Sequence, residues 1–201
     1  MSKKITYYMA PVSPWTYLGH GRLIEIAERH AATIEIRPMD LGNRIFPISG
    51  GLPLSKRSPQ RQAYRMAELK RWRDYLALPL VLEPKCFPTN AELASLCIVA
   101  AAANGGESQL RLAGALLKAC WVGEQDVALA GTILDAASAC GIDGPALLAA
   151  ANGTDARAQF DQFTELAVAD NVFGAPTYVY GGELFWGQDQ LDFLDRALAR
   201  G

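Results

Sequence analysis

Two hydroxyl residues, Ser13 and Thr16, bracket Pro14 and Trp15 in the segment Ala10-Pro11-Val12-Ser13-Pro14-Trp15-Thr16-Tyr17-Leu18. The segment falls between a strand expected at residues 4–9 and a helix expected at 15–28, which puts Ser13 at a helix N-terminus. Unpaired backbone N–H groups and the helix dipole there stabilise a nearby negative charge such as a thiolate. The layout is that of a C-P-x-C redox centre with both sulfurs exchanged for hydroxyls, so it cannot cycle a disulfide. A serine that only caps the helix, with proline at the first helical position, gives the same local sequence, and the two roles are compatible. A hydrolase triad would need an imidazole within hydrogen-bond reach of Ser13. The histidines are His20 and His30; His20 lies two turns along the same helix, ~10 Å of rise away. There is no G-x-S-x-G elbow either. Both histidines read as surface or satisfied core residues.

The elements that must carry this turn are legible at the two ends of the chain. Residues 33–37 alternate Ile34 and Ile36 with Glu35 and Arg37, so the start reads strand, helix, strand, with parallel pairing. At the other end, strands at 177–180 and 183–186 flank Gly181-Gly182, a tight hairpin, and a helix at 188–199 follows with Leu191, Leu194 and Leu198 on one side. Between them the periodicity is helical. Ser58-Pro59 starts a helix running to about 76, Thr89 with Glu92 has the capping-box pattern, and Asn104-Gly105-Gly106 is a stop. Further helices are expected at 108–122, 126–140, 145–151 and 155–170. Residues 41–57, rich in Gly and Pro, read as an irregular loop. A β-α-β start joined to a β-β-α end is the minimal thioredoxin arrangement, although the pattern alone also admits other α/β topologies. The expected fold is α/β and thioredoxin-like with a large all-helical insertion. The discontinuous domain would be residues 1–40 and 166–201, the insertion 41–165.

Composition excludes several classes of function. With 201 residues, half of them apolar, and a net charge of -2 with mixed signs, the chain builds a core and offers no basic patch for nucleic acid or anionic lipid. Cys86, Cys97, Cys120 and Cys140 are widely spaced, with no C-x-x-C pair and no metal-ligand pattern, and read as reduced core thiols. Met1-Ser2-Lys3-Lys4-Ile5 does not run into an apolar leader, and no segment approaches the ~18 apolar residues of a membrane span. A cytoplasmic protein without a metal is expected.

Ser13-Pro14-Trp15-Thr16-Tyr17-Leu18-Gly19 resembles the S-P-[YW]-x-Y-L motif of the 2-hydroxychromene-2-carboxylate isomerases and the related kappa-class glutathione transferases. The resemblance extends to Phe173-Gly174-Ala175-Pro176-Thr177 and Phe185-Trp186-Gly187-Gln188-Asp189. It extends less closely to Arg61-Gln62-Ala63-Tyr64 and Phe87-Pro88-Thr89-Asn90, in matching order over most of the chain. It implies glutathione as cofactor, with Ser13 donating a hydrogen bond to its thiolate. It also implies a cis bond before Pro176, with the Ala175 backbone pairing the cysteinyl part like an added strand. By the same resemblance, Gly187, Gln188, Asp189 and Gln190 receive the γ-glutamyl end, Asp189 facing its ammonium. Two positions depart from the family: Gln190 stands where Arg is usual, and Gly51 where many members have Asn. Arg61 and Lys56 are candidates for a substrate carboxylate, and Phe87 and Trp186 for the walls of an aromatic pocket; solvent exposure and core packing are the plain alternatives. The implied activity is cis/trans isomerisation of an aromatic 2-oxo acid by a homodimer. A kappa-type transferase or peroxidase, and a non-catalytic binding module, are the rivals.

Overall fold

The computed structural model describes residues 3–201; Met1 and Ser2, part of the N-terminal segment read above, lie outside it. Alternation builds the central strand β1 (Lys4–Met9), whose side chains serve two cores. Ile5, Tyr7 and Met9 enter the larger one, while Tyr8 points to the opposite face, with Met39, Ile45, Ala167 and Val172. β1 pairs in parallel with β2 (Thr33–Pro38), Ile5 opposite Ile34 and Tyr7 opposite Ile36. On its other side it pairs antiparallel with β3 (Thr177–Tyr180), which pairs antiparallel with β4 (Glu183–Trp186). The sheet order is therefore β2-β1-β3-β4. Gly181 and Gly182, with φ of 59° and 83°, form the hairpin between β3 and β4; this left-handed pair suits the strand twist and is a conformation glycine adopts without steric cost.

Helix α1 (Pro14–Arg29) links β1 to β2 and packs against α3 (Pro59–Leu76), α5 (Gly106–Trp121) and α9 (Leu191–Arg200) once the intervening elements are in place. Those elements are the short α2 (Phe46–Ser49), α4 (Glu92–Ala100), α6 (Ala130–Ala139), α7 (Gly144–Ala151) and α8 (Thr154–Ala169). Helices α4, α5 and α8 all reach β2. Among the described residues, every strand lies at one end of the chain or the other, and the middle is helical. Ser58 caps α3 as its sequence predicts, its hydroxyl accepting the Arg61 N–H at 3.4 Å.

Several local expectations are corrected. Thr89 and Glu92 do not form a capping box: the Thr89 hydroxyl goes to Asp126, Glu92 pairs with Arg157, and Asn90 Oδ1 takes the Glu92 N–H at 2.8 Å. Gly106 does not end a helix but begins α5, Gly105 alone taking the left-handed φ of 90°. Residues 126–129 stay outside α6, because the Asp126 carboxylate takes the Ala128 N–H at 3.0 Å and turns the chain. Residues 41–57 are not wholly irregular: a π-helical turn at Leu41–Ile45, capped by Asp40, runs into α2, and a 3₁₀ turn covers Leu54–Lys56. The last helix opens with a 3₁₀ turn, Gln188–Gln190, before α9.

The four cysteines are free. Burial pushes the Cys97 and Cys120 thiols up to about 12, which keeps them protonated and unreactive at neutral pH. Among the described residues, no helix is long and apolar enough to cross a membrane.

Candidate active site

Ser13 is the N-cap of α1. Its backbone is extended, Pro14 fills the first helical position, and its Oγ accepts the Thr16 N–H at 3.3 Å. The same hydroxyl donates to the Ala175 carbonyl at 3.4 Å. Both bonds are long, so the hydroxyl is held loosely and can turn toward a better acceptor. The two hydroxyls of the S-P-W-T turn are not equivalent. Ser13 lines a cavity of about 690 Å³, whereas Thr16 is fully buried behind it, its Oγ1 without a hydrogen-bond partner.

Across from Ser13, the Ala175–Pro176 bond is cis, and so is Phe87–Pro88, which the sequence did not single out. The antiparallel ladder reaches Tyr8 opposite Thr177, leaving Ala175 two residues beyond it at the cavity wall. Its backbone is thus placed where an extended peptide can continue the sheet. Pro176 itself is buried.

The cavity also gathers Gly51, Arg61, Phe87 and Trp186 from four separate segments. Phe87 is anchored from behind by Trp121, ring centroids 4.8 Å apart, and carries the Arg65 guanidinium over its face at 5.7 Å. Trp186, half exposed, packs on Phe173 at 4.7 Å and covers Gly174; any side chain at Gly174 would collide with the indole. Gly51 has an equally steric reason. A Cβ there would run into the Phe46 ring, so an asparagine cannot fit while Phe46 keeps its place. Lys56, in the 3₁₀ turn, is absent from the cavity wall.

Gly187, Gln188, Asp189 and Gln190 form a separate turn, joined to the cavity only through Trp186. Gly187 takes φ of 101°, its N–H bonds the Pro176 carbonyl at 2.9 Å, and the Gln190 N–H bonds the Gly187 carbonyl at 3.1 Å. Two of the four backbone donors expected to meet a carboxylate are therefore already engaged, leaving those of Gln188 and Asp189. The Gln188 side chain is buried and its Oε1 accepts from Arg22 at 2.9 Å, so it faces the protein and not the surface. Asp189 is exposed, its carboxylate taking Gln190 Nε2 at 3.0 Å.

His20 is a core residue. Its ring meets the Tyr7 hydroxyl at 3.3 Å and the Leu110 carbonyl at 3.0 Å, and burial lowers its pKa to about 4. His30 pairs with Asp195. Neither histidine lines the cavity. Sequence reasoning missed Arg57 and Arg65, which join Arg61 on the wall. The signal was their four-residue spacing, 57, 61 and 65, around the start of α3.

A thioredoxin-type sheet with a helix N-terminus facing a cis-proline loop defines the class. The chain belongs to the DsbA-like thioredoxin domain family, whose model matches residues 4–199. With Ser13 and Thr16 at the C-P-x-C positions, no dithiol couple can operate at this turn. Among curated proteins it is similar to a 2-hydroxychromene-2-carboxylate isomerase of Sphingobium xenophagum, 26% identical over 198 residues, 98% of this chain and 99% of that one. The isomerase of the same name from Pseudomonas putida is 26% identical over 197 residues, 98% of this chain and 94% of the relative. A solved structure of 2-hydroxychromene-2-carboxylate isomerase superposes with a TM-score of 0.83 at 26% identity, covering 98% of this chain and 95% of that one.

Proposed function

We propose that this protein is a glutathione-dependent isomerase of an aromatic 2-oxo acid, of the kind that 2-hydroxychromene-2-carboxylate represents. The observation that carries the reading is that the Ser13 hydroxyl, at the positive end of α1, and the Ala175 backbone, at the open end of the sheet ladder, border one cavity. Relatives similar over almost the whole chain bear that isomerase's name. Residue types and placement fit the tripeptide: a loosely held hydroxyl, a free strand end, and a turn presenting Asp189 with the Gln188 and Asp189 N–H groups.

What glutathione supplies when bound is a thiolate, a nucleophile that adds reversibly to a conjugated carbon and so frees the neighbouring bond to rotate. The protein's part is to keep that sulfur ionised and the substrate in line. Ser13 Oγ–H turns from the Ala175 carbonyl to donate to the thiolate, and the α1 dipole adds to its stabilisation. Ser13 has no base beside it and is not acylated. Ala175 holds the cysteinyl backbone and Asp189 the ammonium of the γ-glutamyl end. Phe87 and Trp186 flank the aromatic ring, and Arg61 takes the carboxylate.

The decisive experiment follows the absorbance of 2-hydroxychromene-2-carboxylate on mixing with the protein, with and without glutathione. Isomerisation that appears only with glutathione supports the reading; no turnover, or turnover indifferent to glutathione, overturns it.

A further inference from the structure

Two arginines in the wall of the Ser13 cavity, Arg57 and Arg65, are drawn from water without an anion to answer them. Eight of the other arginines, among them Arg22, Arg37 and Arg157, pair with a carboxylate. Arg61, Arg196 and Arg200 do not, but all three are exposed, so water solvates them. Among the described residues, only Arg57 and Arg65 are half-buried, line the cavity and have no carboxylate partner.

Their own contacts hold them in place without neutralising them. Arg57 Nε donates to the Leu52 carbonyl at 2.8 Å. Arg65 leans on Met66 Sδ at 3.7 Å and lies 5.7 Å from the centre of the Phe87 ring, which is itself packed on Trp121. A cation–π contact offsets only part of the cost of desolvating a guanidinium. Burial first, then a neighbouring guanidinium, lowers the pKa of both residues; Arg65, at about 10, stays charged at neutral pH. The acids of the cavity wall are engaged elsewhere. Asp40 takes the Asn43 N–H and amide at 2.9 and 3.1 Å, and Glu92 pairs with Arg157.

We infer that Arg57 and Arg65 are the specificity-determining residues of this cavity, and that together they hold the single carboxylate of its substrate. The inference rests on the cavity being the substrate pocket of the proposed function. It moves the deciding part of carboxylate recognition from exposed Arg61 to the two arginines that water reaches least. One carboxylate, with about four lone-pair sites, serves both guanidinium forks. At Arg61 the same attraction is screened by solvent, whereas at the half-buried pair it acts through a lower dielectric and replaces lost hydration.

The acid 4-phenyl-2-oxobutanoate and its amide, 4-phenyl-2-oxobutanamide, provide the test. They share an aryl 2-oxo skeleton, differ in the charge at one end, and carry no conjugated carbon–carbon double bond for a thiolate to attack. Each is titrated calorimetrically into the full chain at neutral pH without glutathione. The acid is expected to bind about tenfold or more tightly than the amide, the scale of one charge-assisted hydrogen bond. Arg65→Gln and Arg57→Gln should each cut that preference roughly threefold or more. Arg61→Gln should cut it by less than either, and Arg196→Gln, on α9, should leave it intact. Arg65→Lys, which keeps the charge and loses the fork, should retain part of it. Circular dichroism checks each fold, and a Gln variant that does not fold is replaced by its Lys counterpart, expected to show a lower preference than the unaltered chain. Four results would overturn the inference: no binding of either compound, equal affinity for both, a preference that survives the changes at Arg57 and Arg65, or a larger loss from Arg61→Gln. Turnover in the isomerisation assay without a charge preference here overturns the inference and leaves the proposed function; a preference here without turnover there does the reverse.

Discussion

Ser13 Oγ and the Ala175 carbonyl oxygen, 162 positions apart in the chain, meet at 3.4 Å across the mouth of α1. The contact joins the first β-α turn to the cis-proline loop, so the two halves of the sheet share one polar point at the cavity. At that length it restrains the hydroxyl weakly, and a thiolate offered a shorter bond would displace the carbonyl.

Ser13→Ala is therefore expected to separate two roles. Loss of the cap costs about 1 kcal/mol of stability, read by denaturant unfolding, because the Thr16 N–H loses its acceptor. Turnover should fall far more than that loss implies, with glutathione affinity largely kept. The ultraviolet thiolate absorbance of bound glutathione should titrate at higher pH, since one donor to the charged form is gone. An unchanged titration with an undiminished rate would leave Ser13 as a helix cap alone.

Gly51→Asn tests whether the family departure at this position is steric. The new side chain must displace the Phe46 ring, so stability should fall by roughly 1–3 kcal/mol, the scale of overpacking. Removing the obstacle should restore the position: in Phe46→Ala, the further change Gly51→Asn should cost almost nothing. A double-mutant cycle of unfolding free energies reads this coupling directly. Additive costs would show that Phe46 is not what excludes the side chain.

Much of this architecture was legible because it is written locally. Ile34 and Ile36 alternating with charged neighbours, and Gly181-Gly182 between two β-rich runs, needed no distant information to become β2 and the β3-β4 hairpin. The Ser58-Pro59 start of α3 is equally local. The failures are those in which a distant partner won. Thr89 had the capping pattern, but its hydroxyl is claimed by Asp126, and Glu92 by Arg157 from α8. Arg57 and Arg65 look like ordinary solvent-facing charges, and only the tertiary structure brings them, half-buried, to the wall of the Ser13 cavity. By resemblance Gln188 belongs at the γ-glutamyl end of glutathione; its burial comes from α1, where Gly19 lets it approach and Arg22 bonds its Oε1 and carbonyl. The legible parts of the site are its backbone-determined ones, the cap and the cis-proline loop; its charge lining is tertiary.

Asp189→Ala tests the turn before α9. Asp189 is exposed, and its one side-chain bond, from Gln190, is a neighbour contact on the surface, so the fold should be unaffected. Glutathione affinity should weaken by ~1–3 kcal/mol, the scale for losing a hydrogen bond to a charged group. Calorimetric titration of glutathione reads the change. Affinity equal to that of the unaltered protein would show that this turn does not hold the tripeptide.

His20 makes stability depend on pH. Burial lowers its folded pKa from 6.5 to about 4, so the folded state holds it neutral while the unfolded chain still binds a proton between those values. Above 6.5 both states are neutral and the group contributes no pH dependence. As pH falls through the window toward 4, the unfolded state gains the proton first and stability is lost, by an amount on the order of 3 kcal/mol in all. Once the folded ring also protonates, the loss levels off. Denaturant unfolding of the unaltered chain and of His20→Gln, measured across that window, isolates the contribution. Glutamine keeps a donor for the Leu110 carbonyl and an acceptor for the Tyr7 hydroxyl but cannot titrate. The variant should show a shallower loss of stability between 6.5 and 4, while above 6.5 the two curves should run parallel. Identical slopes throughout the acid range would place the titration on other groups.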